Sequence, residues 1–158
     1  MKTLNVIILM LMVVAAFSNC VAQSIESDEA AITKVIEKAY IGGAFNDKDT
    51  KAMEMGFHKS FTIQAEHEDE FEVTTLNKWI DELNSWKSGE ASEGGRTKDW
   101  NIAAKAKVNI VAVYGDAAVA RVDVTFSTEH IFTAFLTLHK FDDGWMIVNL
   151  LAAHDGDE

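Results

Sequence analysis

The chain of 158 residues contains no proline and a single cysteine, Cys20. Without proline there is no cis-prolyl turn, so the turns rest on Gly, Asp and Ser. Basic residues are also scarce, because 14 Lys and Arg stand against 25 Asp and Glu, for a net charge of −11. This balance argues against a nucleic-acid partner and against an anionic membrane surface, since both bind clustered Lys and Arg.

Residues 1–22 differ from the rest of the chain, since they hold one charged residue and an unbroken apolar run of 12 residues at 6–17. That run is shorter than the roughly 20 residues of a spanning helix. A basic residue, an apolar run and then small residues are typical of a secretory signal peptide. We therefore expect cleavage after Ala22 and a secreted or periplasmic protein. A lipoprotein attached through Cys20 is the alternative, but Asn19 stands where such signals usually carry Gly, Ala or Ser.

Residues 23–158 then form one domain, which has no contact with the membrane once the leader is cleaved. Its length suits a single core, and the 48% apolar content of the chain argues against disorder. Because Cys20 leaves with the leader, this domain has neither a disulfide nor thiol chemistry. The core alone must hold the fold.

Helical periodicity appears in three places. The first helix is capped by Ser27 and ended by Gly42-Gly43, and its apolar face consists of Ile32, Val35, Ile36, Ala39 and Tyr40. A short second helix is predicted over 49–55, stopped by Gly56. Thr75 caps a third helix, whose apolar face consists of Leu76, Trp79, Ile80, Leu83 and Trp86.

Strand periodicity fills the remaining segments. A short hairpin is predicted between the second and third helices, with its strands near 61–66 and 71–73. A polar loop over 87–99 leads to four strands, over 100–108, 118–126, 131–141 and 145–152. The second of these strands is predicted to direct one apolar row inward, consisting of Ala118, Ala120, Val122, Val124 and Phe126. Helices on one side of such an antiparallel meander predict an α+β fold.

Three local strings stand out: YIGG at residues 40–43, FHKSF at 57–61 and LTLHKFDDGWMIVN at 136–149. In this order and at this length, they resemble the NTF2-like superfamily, and within it the SnoaL-like or putative lumazine-binding group. The resemblance covers nearly all of residues 23–158. It implies a cone-shaped α+β fold, in which three N-terminal helices pack on a bent antiparallel sheet and a pocket opens at one end.

The chain departs from that group at two places. The group often has an acidic residue in the strand where residues 132–135 read Phe-Thr-Ala-Phe, and often a Lys where Leu150 stands. Both departures remove polar groups that could face a ligand. The superfamily contains isomerases, dehydratases and cyclases as well as non-enzymatic modules, so the fold alone does not choose a function.

An acid–base enzyme of this fold needs an ionisable side chain inside an apolar pocket, as Asp and Tyr serve in ketosteroid isomerase. The catalytic candidates are Asp123, Tyr40 and His58. Asp123 shares one strand face with Arg121 and Thr125. That face is either the outer face of the sheet, where Arg121 pairs with Asp123, or a wall of the pocket.

The ligand pocket is expected to involve one tyrosine, one phenylalanine, one leucine and two tryptophans. These residues are Tyr40, Phe61, Trp79, Leu83 and Trp100.

Other chemistry finds no support in the sequence. The five histidines form no His-x-His or His-x-x-x-His pair, and the acidic string at 66–70 is expected to be a solvated turn. No Gly-x-Ser-x-Gly elbow and no phosphate-binding Gly loop is present. The sequence therefore predicts neither a metal site nor a cofactor.

Three hypotheses follow. The first is a secreted or periplasmic domain that binds a small, mostly apolar molecule in its cone. The second is an isomerase- or dehydratase-type enzyme that uses Asp123 with Tyr40 or His58. The third is an interaction module that forms a homodimer through its sheet, as the resemblance implies.

Overall fold

A six-stranded sheet forms the frame of the protein, and three helical segments cover one of its faces. The computed structural model describes residues 28–67, 70–88, 103–126 and 129–153. The helices are α1 (28–46), α2 (Thr50–Gly56) and α3 (Leu76–Ser88). The strands are β1 (Phe57–His67), β2 (Glu70–Thr75), β3 (Ala104–Tyr114), β4 (Ala117–Phe126), β5 (Glu129–Phe141) and β6 (Gly144–Ala153).

Helix α1 continues past the glycine pair at which it was expected to end, so that prediction is wrong. It is α-helical over 28–35 and continues as a π-helix over Ile36–Asn46. The Asp47 N–H donates to Gly42 O at 2.7 Å, which closes the last wide turn. Neither glycine has a positive φ. A Cβ on Gly43 would stand 3.1 Å from Met53 Cγ, so this glycine provides close contact with α2 rather than a helix end.

Both other helices start close to their predicted positions. Helix α3 begins directly after Thr75, as predicted, whereas Asp49 was expected to be the first residue of the second helix and instead caps it. Asp49 Oδ1 accepts the N–H groups of Lys51 and Ala52 at 3.0 and 3.2 Å, which caps α2. The Lys78 N–H approaches Thr75 Oγ1 at 3.4 Å at the start of α3. These caps satisfy helix N–H groups that have no partner inside the helix.

The sheet is mixed, whereas the sequence predicted an antiparallel one. Its strand order is β2-β1-β6-β5-β4-β3. Strand β1 runs parallel to β6, and the remaining neighbours are antiparallel. An isolated two-stranded hairpin is marginal in water, so the β1–β2 hairpin gains stability by joining the edge of β6. The α+β class itself is confirmed.

The two faces of the sheet differ sharply in burial, because side chains alternate along each strand. On the inner face, the predicted inward row of β4 is confirmed, since Ala120, Val122 and Val124 are fully buried. Residues of α1, α3, β5 and β6 complete this core. The outer face carries Arg121 and Asp123, between those buried positions.

Several expectations concern residues outside the described ranges. They are the signal peptide at 1–22, the Ser27 cap, and residues 89–99 of the polar loop. Within the described helices, none combines the length and the apolar character that crossing a bilayer requires.

The start of α1 is tied to the β5–β6 hairpin by one carboxylate. Asp28 Oδ1 accepts a hydrogen bond from Lys140 Nζ at 2.7 Å and one from Trp145 Nε1 at 3.0 Å. These bonds, the Lys140 bond first, lower the pKa of the Asp28 carboxyl. The contribution of Asp28 to stability is therefore present above its unfolded pKa, about 3.9, and is lost as the pH falls through the lower, folded pKa.

We expect Asp28→Asn to lower the free energy of unfolding by about 1 kcal/mol at pH 7, because a partly exposed charged hydrogen bond is replaced by a neutral one. Urea unfolding at pH 7 and in steps down to pH 3 measures this difference. The difference should begin to shrink below about pH 4, where the carboxyl of the unfolded chain becomes protonated, and should be lost as the pH falls through the lower pKa of the folded protein. Glu29→Gln, at the neighbouring exposed position, is the control and should change little. A difference that persists undiminished at pH 3 would contradict the role of the charge.

Candidate functional site

Four aromatic side chains form a buried group between α1, β1 and α3, which we call the inner aromatic cluster. Its members are Tyr40, Phe57, Phe61 and Trp79. The ring centroids of Phe57 and Phe61 lie 4.5 Å apart, and those of Phe57 and Trp79 lie 5.6 Å apart. Tyr40 contacts Trp79 edge-on at 6.3 Å. Edge-to-face contacts of this kind stabilise aromatic pairs beyond their buried area.

The Tyr40 hydroxyl is the polar group of this cluster that could serve a ligand. The residue is 1% exposed. Within the part of the chain that the structure describes, no residue hydrogen-bonds its Oη, and no fully enclosed side-chain N or O atom lacks a partner. The Tyr40 Oη is therefore not fully enclosed by the described residues.

Burial raises the pKa of the Tyr40 phenol far above its usual range. A charged phenolate is disfavoured away from water. Tyr40 therefore stays protonated at neutral pH. It can donate a hydrogen bond to a carbonyl or similar acceptor, but it is no base for abstracting a proton.

A second group of rings extends from Tyr40 toward less buried positions, and we call it the mouth aromatics. It consists of Phe45, Phe126 and Phe132, all half-buried against the core. The Phe45 ring lies 5.3 Å from Tyr40, 5.9 Å from Phe126 and 6.1 Å from Phe132. These contacts connect the π-helical end of α1 to β4 and β5.

An asparagine fixes the end of α1 beside the mouth aromatics. Asn46 Nδ2 donates to Ala104 O at 3.1 Å, and Asn46 Oδ1 accepts the Ala104 N–H at 2.7 Å. The side-chain amide thus pairs with both backbone groups of Ala104, as a neighbouring strand would. Because β3 is an edge strand, this pairing also covers part of an otherwise open edge.

The structure brings together most of the residues that were predicted to line a pocket. Tyr40, Phe61 and Trp79 belong to the inner aromatic cluster, and Leu83 is buried in the same core. Trp100 lies outside the described residues. Their assignment to a pocket stays a prediction.

The three catalytic candidates are not brought together. Asp123 lies on the outer face, where Oδ1 accepts from Arg121 Nε at 2.8 Å and from Thr133 Oγ1 at 3.0 Å. Tyr40 lies on the inner side of the sheet. His58 lies at the start of β1, and its Nδ1 is 2.6 Å from Ser60 Oγ. The sheet separates the Asp123 carboxylate from the Tyr40 hydroxyl, so the two groups cannot reach the same substrate atom.

Metal ligands are likewise not assembled in the described ranges. Among those residues, no group of three or more His, Cys, Asp or Glu side chains is placed to hold an ion.

Sequence reasoning missed Phe45 and Asn46, because the glycine pair before them was taken as the end of the helix. Phe45 follows Tyr40 by five residues, which is the repeat of a π-turn rather than an α-turn. Phe126 was visible in the alternating pattern of β4, and its contact with Phe45 required the fold.

Comparison with known proteins defines the relationship of this chain. A family model described as "Putative lumazine-binding" matches residues 27–151, which is most of the chain. The chain belongs to this family. A search of curated proteins finds no match.

Solved structures that are similar to this chain are NTF2-like proteins, which confirms its resemblance to the NTF2-like superfamily. An NTF2-like protein of unknown function from Shewanella baltica OS155 is 22% identical, with a TM-score of 0.61 over 83% of this chain and 96% of that chain. One from Silicibacter pomeroyi DSS-3 is 21% identical, with a TM-score of 0.59 over 82% and 97%. One from Methylobacillus flagellatus KT is 26% identical, with a TM-score of 0.58 over 80% and 90%.

The two departures from the usual pattern of the family lie on β5 and β6. Leu150 is buried and faces Leu136 across the β5–β6 pair. Residues 132–135 alternate between the two faces of the sheet: Phe132 is one of the mouth aromatics, whereas Thr133 and Phe135 lie on the outer face. An apolar side chain therefore stands on the inner side at each of the two places.

We expect Asn46→Ala to lower the free energy of unfolding by about 1–3 kcal/mol, because it leaves the N–H and C=O of Ala104 without their partner. Urea denaturation measures the change. Asn109→Ala, at an exposed position on the same strand, is the control and should change it by less than about 0.5 kcal/mol. Equal effects of the two substitutions would contradict the proposed role of Asn46.

Proposed function

We propose that the protein binds a small, mostly apolar molecule inside its cone, with the molecule held between the mouth aromatics and the Tyr40 hydroxyl. The observation that carries this proposal is the hydroxyl of the buried Tyr40, which lies within an aromatic shell and has no hydrogen-bond partner among the described residues. A buried hydroxyl normally finds a hydrogen-bond partner. A bound ligand with one acceptor atom would provide that partner, while its apolar part contacts the surrounding rings.

The lining supports an apolar rather than a charged ligand. Phe45, Phe126 and Phe132 contribute rings, and Leu150 stands where the family often has Lys. A charged ligand group buried here without a counter-ion would carry a large desolvation cost. The family name suggests lumazine as the first probe. Lumazine is planar and heteroaromatic, and its carbonyl groups make it more polar than the ligand proposed above, so it tests the hydrogen bond to Tyr40 and the contact with the surrounding rings.

Binding fits the geometry better than acid–base catalysis. The second hypothesis requires Asp123 to act with Tyr40 or His58, and these groups lie apart. The raised pKa of Tyr40 suits a hydrogen-bond donor. The proposal therefore assigns Tyr40 the role of a binding residue.

We expect lumazine to bind the wild-type protein and Tyr40→Phe to weaken its binding about 2- to 10-fold, the effect of one lost neutral hydrogen bond. Quenching of tryptophan fluorescence on titration measures the affinity, since Trp79 contacts Tyr40. Stability should change little, because Oη has no hydrogen-bond partner to lose in the part of the chain that the structure describes. Tyr114→Phe makes the same chemical change at a side chain that is 89% exposed, and it is the matched control.

Two results would contradict this proposal. One is the absence of quenching by lumazine in the wild-type protein. The other is a loss of affinity in Tyr114→Phe without a loss in Tyr40→Phe, which would place the ligand outside the cone.

We also propose that the domain acts outside the cytoplasm, after removal of residues 1–22. The charge pattern and the short apolar run of that segment support export. An acidic domain without cysteine suits an oxidising compartment, because it has no thiol to oxidise. Attachment to a membrane through Cys20 remains the alternative.

The outer face of the sheet supports a further proposal, a homodimer. Four apolar side chains are exposed there, and we call them the outer apolar patch: Phe71, Val73, Phe135 and Leu151. Leu151 pairs across the sheet with Phe135, and Gln64 pairs with both Leu151 and Val73. These four side chains lie on β2, β5 and β6, and Gln64 on the intervening strand β1 connects them into one surface. Contiguous exposed apolar surfaces commonly mark protein contacts, and the resemblance to the superfamily supports a second copy as the partner.

We expect the wild-type protein to sediment as a dimer and Phe135→Glu to sediment as a monomer, since a symmetric contact would bury the introduced charge twice. Sedimentation velocity over a range of concentrations measures this. Met55→Glu, on α2 at a side chain that is 68% exposed, is the control and should remain dimeric. A wild-type protein that stays monomeric throughout would refute the dimer.

A further inference from the structure

A groove of about 510 Å³ opens on the outer face of the sheet, at the end where β5 reaches Phe141. Small apolar side chains form much of its floor, among them Ala112, Ala117, Val119 and Val148. The groove is separate from the inner aromatic cluster, which lies across the sheet. Its volume is within the range of small-molecule sites.

Three rings form one wall of this groove. The His58 ring stacks on Phe141 with centroids 4.7 Å apart and an angle of 6° between the planes. The His139 ring meets Phe141 edge-on at 4.9 Å. Phe141 thus stands between two imidazoles, and all three line the groove.

The tautomer of His58 follows from its hydrogen bonds. The Ser60 N–H donates to His58 Nδ1 at 3.2 Å, and Ser60 Oγ lies 2.6 Å from the same nitrogen. A nitrogen that accepts a backbone N–H carries no proton itself. In the neutral ring the proton is therefore on Nε2, which makes His58 a hydrogen-bond donor.

In His139 the other ring nitrogen is left for a ligand. Its Nε2 lies 3.6 Å from Asp116 Oδ2. A carboxylate at that position favours the proton on Nε2, so in the neutral ring Nδ1 is an acceptor. The wall thus offers a donor and an acceptor on the two sides of Phe141.

We propose that this outer groove is a second binding site, for a neutral, planar aromatic molecule that carries a hydrogen-bond acceptor at one end and a donor at the other. Its acceptor takes the His58 Nε2 proton, its donor binds His139 Nδ1, and its ring rests on the apolar floor. Asp116, Asp142 and Asp143 are exposed at the two hairpin turns of this end, and the net charge is −11. An anion would be repelled there, and a charged group of either sign would lose hydration on the apolar floor, so a neutral ligand is favoured.

The probe for this site is methyl 6-hydroxy-2-naphthoate, which has an ester carbonyl at one end and a phenol at the other. Two analogues remove one function each: 2-naphthol lacks the carbonyl, and methyl 6-methoxy-2-naphthoate lacks the donor. Titration of the full chain is followed through the backbone amide shifts of Val119 and Thr137, which line the groove.

We expect His58→Phe and His139→Phe each to weaken binding of the probe about 3- to 10-fold while keeping a ring against Phe141. His58→Phe should leave binding of 2-naphthol unchanged, because 2-naphthol has no carbonyl to lose the contact. His139→Phe should leave binding of the methoxy analogue unchanged for the corresponding reason. This pairing of variants with analogues separates each hydrogen bond from general packing.

Three outcomes would overturn the proposal: no shifts at Val119 and Thr137, equal weakening of all three compounds by each variant, or binding that is abolished by Tyr40→Phe. The last outcome would place the probe in the cone. A lumazine titration of the two histidine variants should match that of the wild-type protein, so failure of one site is distinguishable from failure of the other.

Discussion

The packing of α1 against the inner face of the sheet is the contact on which the rest of the structure depends. With one cysteine in the chain, no intrachain disulfide can hold the layers together. Ile32, Ile36 and Tyr40 are instead fully or almost fully buried in one core that also contains residues of β4, β5 and β6. The same helix supplies Tyr40 to the interior and, through its π-helical end, Phe45 and Asn46 to the mouth. Helix α1 therefore contributes both to the stability of the fold and to the candidate site.

Because side chains alternate along the strands, the two faces of the sheet carry different groups. The inner face is apolar and carries the cone, and the outer face presents both the outer apolar patch and the groove beside Phe141. Two positions only one residue apart, Val122 and Asp123, thus belong to different environments. This division explains why Asp123 meets Arg121 and Thr133 instead of the Tyr40 hydroxyl.

The chemistry of the interior follows from what stands near Tyr40. A phenol kept neutral by burial, rings from three directions and a leucine at a position often occupied by lysine favour recognition of an apolar molecule. The outer groove has a different chemistry, because hydrogen bonds from Ser60 and a nearby Asp116 carboxylate define the proton positions of its two histidines. The two binding sites that we propose therefore differ in their chemistry.

The sequence by itself determined the α+β class, the capped start of α3, the inward row of β4 and the superfamily, because these features depend on local periodicity, capping and short strings. Tertiary structure decided the parallel pairing of β1 with β6, since no local pattern states which strand edge a hairpin joins. It also decided the continuation of α1 through Gly42 and Gly43, where close contact with Met53 uses the missing side chain. Tyr40 contacts Phe45 because the end of α1 is a π-helix, and His58 contacts Phe141 because of the order of strands in the sheet. The sequence lists the side chains, but tertiary packing decides which of them lie together in one site.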